Sequence, residues 1–313
     1  MRGARRGIIK DMSLAQRSWI RYTYIGANLL LAAACALYAA DPEIISIPSK
    51  DLYPESITST ANGSIIIGSY GTSSVWRIPA GQKTAAKWFD TTAKGSLLGV
   101  FADEKAGVLL VCQGGVRTYD LKTGALKDTL TIPTATQFCN DLAVRKNGDV
   151  FVSDTTGAKI FVFHKGEKAA VEVASDPLLG GVDGLAFLDN QDQLFANTVT
   201  TNKMLRLDLA KDGKVTKITD LKQSRPLQGP DGMRAIDGKR LIIAEGAGRA
   251  AMGVPNGDSI EISTLKEGGM EGGTPAITFT KGWGYAMEGK LKQKGKTQDA
   301  SPFRLFPIPV PKK

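Results

Sequence analysis

Histidine is almost absent from this chain: its 313 residues include one, His164, together with only three cysteines. Serine-histidine-aspartate catalysis needs a histidine base, and zinc sites rely largely on histidine and cysteine ligands. The cysteines form no Cys-x-x-Cys motif and no Cys/His zinc spacing. His164 lies at the end of the predicted strand 159–163, which we expect to hold it away from a central channel. These absences direct attention to oxygen ligands and carboxylate chemistry.

Two further features are missing. After the first forty residues there is no long helical periodicity, and no cluster of lysine and arginine is interleaved with aromatic residues. The second absence argues against a nucleic-acid partner, although the formal net charge is +9. Residues 1–40 carry six basic residues and one acidic residue, so the remainder carries about +4. We expect the lysine-rich segment 290–296 to be a solvated loop, with an anion-binding patch as the alternative.

The segment 139–154 has the pattern of a β-hairpin. Two alternating stretches flank Asn147-Gly148, a dipeptide that favours the tight turn between antiparallel strands. Related segments begin at positions 55, 98, 140, 183, 231 and 275, which are 42 to 48 residues apart. Third strands follow at 74–78, 115–119, 159–163 and 203–207. A period in the forties with about four short strands per repeat predicts an all-β, six-bladed β-propeller with a central channel.

Closure of such a ring requires the two ends of the propeller to share a blade. The segments 43–47 and 303–308 both have strand patterns, and we predict that they pair and cover each other's edges. The propeller is therefore predicted to span residues 41–313 as one domain, and we expect it to act as a monomer.

Residues 1–40 are predicted to form an export signal or an N-terminal anchor. Arg17 and Arg21 precede an uncharged stretch, residues 22–40, with small residues near Ala36 and Ala39 as candidate cleavage sites. A retained anchor is the alternative, since about 19 uncharged residues suffice to span a bilayer. A further interpretation is a lipoprotein signal with Cys35 lipidated. We expect an exported protein, periplasmic or secreted, that contacts membrane only if this segment is retained or lipidated.

Cys112 and Cys139 remain when the N-terminal segment is set aside. An even pair of cysteines in an exported protein permits a disulfide. Both cysteines, however, lie in or beside predicted strands of neighbouring blades. We therefore predict two buried free thiols, with a disulfide as the alternative.

Four polar residues occupy equivalent repeat positions: Glu55, Asn140, Asp183 and Asp231. The innermost strands of a propeller line its channel, so such residues are expected to meet at one mouth. Singly, each is better explained as a turn or capping residue. Together, three carboxylates and an amide oxygen are typical ligands of a hard cation such as Ca²⁺. A divalent cation would also relieve the repulsion between the carboxylates.

Four segments resemble the signature strands of the senescence marker protein/regucalcin/gluconolactonase family: Pro54–Ile57, Cys139–Val144, Asp183–Phe187 and Gly229–Met233. The resemblance implies a six-bladed propeller that holds one divalent cation and hydrolyses lactones or related esters. Ca²⁺ is the expected ion, with Zn²⁺ and Mn²⁺ as alternatives. The family's metal-binding residues correspond to Glu55, Asp183 and Asp231. Its central asparagine, a metal or substrate ligand, corresponds to Asn140.

Asp183 departs from this family, which usually has asparagine there. The change adds a negative charge, which should tighten cation binding or give Asp183 a role in proton transfer. Paraoxonase and diisopropyl fluorophosphatase are more distant relatives of similar fold. Their histidines have no counterpart in this chain, which argues against their specificities.

The leading functional hypothesis is a metal-dependent lactonase or esterase acting on a small molecule. The cation would polarise the substrate carbonyl, Asp231 would direct a water as general base, and Asn140 would hold the substrate. One alternative is a non-catalytic exported propeller whose cation is structural. Another is an enzyme resembling strictosidine synthase, which would use Glu288 in the last repeat.

Overall fold

The computed structural model describes residues 41–93, 95–135, 138–270 and 272–312. The predicted export signal or anchor, with Cys35, lies outside these ranges. Within them, helical structure is limited to two single-turn 3-10 helices, Pro177–Leu179 and Leu291–Gln293. None of the helices in these ranges is long and apolar enough to cross a membrane.

The described residues form six sheets, which are the six blades of a β-propeller. The first strand, β1 (Ile45–Ile47), belongs to the last blade. Blade 1 consists of β2 (Pro54–Ser59), β3 (Ile65–Ser69), β4 (Ser74–Ile78) and β5 (Ala86–Asp90). Blade 2 consists of β6 (Val100–Asp103), β7 (Val108–Cys112), β8 (Val116–Asp120) and β9 (Leu126–Leu130). Blade 3 consists of β10 (Leu142–Val144), β11 (Val150–Asp154), β12 (Lys159–Phe163) and β13 (Val171–Ser175). Blade 4 consists of β14 (Val182–Phe187), β15 (Gln193–Thr198), β16 (Lys203–Leu209) and β17 (Val215–Asp220).

The last two blades depart from this uniform plan. Blade 5 has a short extra strand, β18 (Lys222–Gln223), before β19 (Pro230–Ala235), β20 (Leu241–Glu245), β21 (Arg249–Asn256) and β22 (Ser259–Glu267). Blade 6 consists of β23 (Ala276–Thr280), β24 (Trp283–Met287), β25 (Phe303–Pro309) and β1. β18 runs parallel to β22, whereas the other paired strands of the blades are antiparallel. The repeat pattern did not predict this fifth strand or the long β21–β22 hairpin.

The predicted closure of the ring is confirmed. β1 pairs with β25, with Ile45 opposite Leu305 and Ile47 opposite Phe303. The ends of the propeller thus share blade 6, and each covers an edge that would otherwise be open to another chain. The predicted turn at Asn147-Gly148 is also present, and Gly148 has the positive φ of 99° that such a turn favours in glycine.

Apolar side chains pack mainly between neighbouring blades. Between blades 3 and 4, Phe151 and Val162 form one cluster with Leu185, Leu194 and Leu205. The second strand of a blade is largely buried, as β3, β11 and β20 show along their whole length. The fourth strands, such as β5 and β17, are mostly exposed. Each blade is therefore a layer that depends on its neighbours to cover its faces.

The prediction of free thiols is wrong, because Cys112 and Cys139 form a disulfide with their Cα atoms 5.2 Å apart. Cys112 ends β7, and Cys139 directly precedes Asn140 and is buried in the hydrophobic core between blades 2 and 3. Gly99 allows this approach: its N–H donates to the Asn140 carbonyl at 2.6 Å, and a Cβ at Gly99 would lie 2.2 Å from that oxygen. Cysteines on neighbouring blades therefore meet because the backbones of blades 2 and 3 touch at a glycine.

Candidate functional site

The three predicted carboxylates lie where the innermost strands depart from regular pairing. The β2–β3 ladder skips Glu55, β14–β15 skips Asp183 and Gly184, and β19–β20 skips Asp231 and Gly232. A β-bulge bends a strand and re-aims its side chains. The bulges therefore turn these carboxylates out of the sheet pattern, and all three line one cavity in the channel.

Asn140, the fourth predicted residue, also lines this cavity and precedes β10. The innermost strands of blades 2 and 6 begin with regular pairing, and the residues just before them, Gly99 and Pro275, line the cavity. The ring thus delivers polar side chains from blades 1, 3, 4 and 5. The structure brings together all four residues that the repeat positions predicted.

Asp183 is hydrogen-bonded to two of the other three site residues. Asn140 Nδ2 donates to Asp183 Oδ2 at 2.7 Å. The carboxyl groups of Asp183 and Asp231 also share a hydrogen bond. Asp183 and Asn140 are buried, with 6% and 8% of their surfaces exposed, whereas Asp231 is only partly buried. Asp183 is therefore hydrogen-bonded to the next site residues of the ring on both sides.

Glu55 differs from the other three residues. It contributes to the same cavity, but no described side chain donates a hydrogen bond or forms an ion pair to its carboxylate. The cavity has a volume of about 10 Å³. A volume of roughly 10–15 Å³ is enough for one water molecule. The site therefore combines an unsatisfied carboxylate with room for one small atom or ion.

The carboxylates raise one another's pKa values. Burial is the largest cause for Glu55, and the charges of Asp183 and Asp141 add to it, so the pKa of Glu55 lies well above its usual value. Burial and then Asp141 raise the pKa of Asp183 to about 7, against the lowering effect of the Asn140 hydrogen bond. Burial, Asp183 and Glu55 raise the pKa of Asp231 well above its usual value. Without a counter-charge, the site holds protons in place of full ionisation.

Buried polar residues outside the predicted set support the site, and sequence reasoning missed them. Asn197 on β15 is fully buried; its Oδ1 accepts from Gly184 N–H at 3.1 Å and its Nδ2 donates to the Asp231 carbonyl at 2.6 Å. Ser153 Oγ donates to the Asp183 carbonyl at 2.7 Å. These side chains fix the bulged backbone. Their signal in the sequence is a polar residue near the end of an otherwise apolar second strand.

Residues considered for other roles lie elsewhere or are already paired. His164 follows β12, with Nδ1 3.5 Å from Asp149 and 39% of its side chain exposed, so the expectation that it avoids the channel is confirmed. Glu288 is 1% exposed and accepts two hydrogen bonds from Arg304 at 2.8 and 2.9 Å. That pairing does not support a catalytic Glu288. In the lysine-rich segment, Lys294 Nζ donates to the Tyr70 carbonyl at 3.1 Å.

The side chains that line the cavity are of the kinds that bind a cation, but they are not spaced as metal ligands. Among the described residues, no three histidine, cysteine, aspartate or glutamate side chains are arranged to hold a metal ion. The direct contact between Asp183 and Asp231 occupies oxygens that would otherwise be available as ligands. The unsatisfied Glu55 carboxylate and the raised pKa values nevertheless mark a cavity lined by more acidic groups than the nearby positive charge neutralises. Carboxylate and amide oxygens are the ligands that hard cations prefer.

Comparison with known proteins supports the fold. The sequence matches no protein-family model and no curated protein sequence. A gluconolactonase from Xanthomonas campestris is 16% identical, with a TM-score of 0.63 over 88% of this chain and 93% of its own. Virginiamycin B lyase from Staphylococcus aureus is 17% identical, with a TM-score of 0.60 over 87% and 89%. The calcium-binding protein regucalcin from Agrobacterium tumefaciens is 14% identical, with a TM-score of 0.57 over 84% and 94%. At these identities the likeness extends to the propeller fold, and the chemistry has to be argued from the site.

Proposed function

We propose that this protein is a metal-dependent hydrolase of a lactone or a related ester. Glu55, Asn140, Asp183 and Asp231 would hold one divalent cation, with Ca²⁺ as the expected ion. The observation that carries the proposal is their convergence on one cavity, where the Glu55 side chain has no hydrogen-bond or ion-pair partner among the described residues and the carboxylates have raised pKa values. The distant fold relatives, among them a gluconolactonase and a calcium-binding protein, are consistent with it.

A bound cation would act as a Lewis acid toward the ester carbonyl and would favour the ionised form of the carboxylates. The chain's own residues would do the rest. Asp231, the partly exposed member of the Asp183–Asp231 pair, would direct a water and accept its proton as general base. Asn140 would accept a hydrogen bond from a hydroxyl of the substrate or contribute its oxygen to the cation. The Asp183–Asp231 contact has to open when the cation binds.

The alternative is a non-catalytic propeller that binds a cation for stability alone, since the same fold serves many functions. The two proposals differ in what they predict for turnover. An enzyme needs a base that can reach a water, whereas a structural cation requires only that its ligands be satisfied. An activity measurement combined with cation removal therefore separates them.

The test is hydrolysis of a panel of small lactones and aryl esters after chelation and after restoring Ca²⁺, Mn²⁺ or Zn²⁺. We expect turnover to vanish with the chelator and to return with one of these cations. Asp231→Asn should remove turnover while the melting temperature in chelator stays at or above the parent value. Asp189→Asn is the matched control, because Asp189 follows the far end of β14 and its side chain is 71% exposed.

Two results would contradict the proposal. Turnover that persists fully after chelation would exclude a cation from the reaction. Cation binding without hydrolysis of any lactone or ester would favour the non-catalytic propeller.

A further inference from the structure

Thr155 lies in the turn after β11, outside the four-residue site, and its hydroxyl contacts two neighbours. Thr155 Oγ1 is 2.6 Å from the Val182 carbonyl oxygen of blade 4. It is also 2.8 Å from Asn140 Nδ2 of its own blade. The side chain therefore connects the start of β14, next to Asp183, with the amide of Asn140.

The donors and acceptors in this arrangement admit one assignment. A threonine hydroxyl has one proton to donate, and a backbone carbonyl can only accept. The Thr155 proton is therefore committed to the Val182 oxygen, and toward Asn140 the hydroxyl can only accept. The amide atom that faces Thr155 must be a donor, which is Nδ2. The Val182 carbonyl thus fixes the orientation of the Asn140 amide.

The second proton of the Asn140 amide is also used, since Nδ2 donates to Asp183 Oδ2 at 2.7 Å. Both donor positions of Asn140 are thus occupied by protein. No described residue donates to Oδ1, and Asn140 lines the cavity with Glu55 and Asp231. The amide oxygen is the atom left to meet a ligand.

We propose that Thr155 is a positioning residue that fixes the Asn140 amide with its oxygen available to the cavity. A flipped amide would present an N–H donor, which suits an anion or an oxyanion. The fixed amide presents an acceptor beside the Glu55 carboxylate, and acceptor-only linings select cations. The consequence for cation binding rests on the proposed function, whereas the orientation of the amide follows from the hydrogen bonds alone.

Three substitutions separate this role from a general contribution to stability. Thr155→Val keeps the shape of the side chain and removes the hydroxyl, and Thr155→Ser keeps the hydroxyl. Thr280→Val is the matched control. Thr280 Oγ1 likewise donates to a backbone carbonyl of a neighbouring blade, that of Thr60, at 3.0 Å. This contact lies at the other end of the innermost strands, away from the site. Thr155→Val and Thr280→Val should therefore cause comparable losses of melting temperature in chelator.

The first readout needs no cation. In protein labelled with ¹⁵N-asparagine, with Asn140→Asp used to assign the signal, the Asn140 side-chain protons should exchange slowly with water. Thr155→Val should accelerate their exchange and shift their resonances, while Thr155→Ser and Thr280→Val should leave both unchanged. Unchanged Asn140 side-chain signals in Thr155→Val would overturn the proposal.

The second readout is Ca²⁺ affinity measured by calorimetry. Loss of a group that orients a metal ligand typically weakens metal binding ten- to a hundredfold. We expect a loss of that size in Thr155→Val, and parent-like affinity in Thr155→Ser and Thr280→Val. Parent-like affinity in Thr155→Val would also overturn the proposal. If the parent protein itself binds no cation, the proposed function fails, and the ¹⁵N-asparagine experiment still decides whether Thr155 orients the amide.

Discussion

Arg234 donates two hydrogen bonds to Asp141 across the channel, from Nη1 at 2.7 Å and from Nη2 at 3.1 Å. Each residue is less than one-tenth exposed. The guanidinium also donates to the Val100 carbonyl, and Asp141 accepts from the Leu185 N–H. Asp141 lines the site cavity, while Arg234 lines a second cavity of about 200 Å³ formed by residues of all six blades. The ion pair therefore lies between the two cavities and links blades 2, 3, 4 and 5.

Replacing Arg234 with methionine should destabilise the propeller strongly. Removing one partner of a buried ion pair leaves an uncompensated charge and costs about 3–5 kcal/mol. The measurement is the free energy of unfolding in urea. The double variant Arg234→Met/Asp141→Asn should recover most of the loss, because neither position of the former ion pair then carries a charge. A double variant as unstable as Arg234→Met would show that the carboxylate is not the source of the cost.

Stability of the cation-free protein should fall as the pH rises from about 4 to 7. The pKa of Asp183 is 3.8 in its usual state and about 7 in the fold. In this window the unfolded chain releases the proton and the folded chain retains it, so the free energy of unfolding decreases with pH. Each unit of pKa difference corresponds to about 1.4 kcal/mol. Asp183→Asn should flatten the dependence in thermal melts recorded across this range, and an unaltered slope would contradict the assignment.

Loss of the Cys112–Cys139 disulfide should cost stability and also disturb the site. The two cysteines are 27 residues apart, and closing a loop of that length is worth about 3–4 kcal/mol in the chain-entropy account. Cys112→Ser/Cys139→Ser should lower the melting temperature under oxidising conditions. It should also weaken cation binding, because Cys139 adjoins Asn140. Reducing agent should destabilise the parent protein and leave the double variant unchanged.

Adding a methyl group at Gly184 should push the innermost strands of blades 4 and 5 apart. A Cβ there would lie 2.6 Å from the Asp231 carbonyl oxygen and 3.0 Å from Asn197 Nδ2. Gly184→Ala should therefore displace Asp231 from Asp183 and reduce both stability and turnover. Gly180→Ala is a milder control on the same blade, with one contact at 3.2 Å. Full activity of Gly184→Ala would show that the spacing of the two aspartates is not critical.

The features that follow from the sequence repeat could be predicted: the propeller fold and the equivalent positions of Glu55, Asn140, Asp183 and Asp231. The sequence did not predict contacts that bring together distant parts of the chain. Arg234 and Asp141 are 93 residues apart, and no local pattern marks them as partners. The disulfide was not predicted for a related reason: it depends on the close approach of the backbones of blades 2 and 3 at Gly99. Thr155 carries no signal in the sequence, because its contact with Val182 exists only when blades 3 and 4 are packed together.

The pairing of β1 with β25 has a consequence for how the chain folds. Residues near 45 and residues near 305 must meet before the ring is complete, and contacts so distant in sequence form slowly. During synthesis, the innermost strands that carry the four site residues all emerge before β25. β25 and β1 form the outer part of blade 6, and neither strand contributes a residue to the cavity, so the closing strand contributes stability to the ring rather than chemistry to the site.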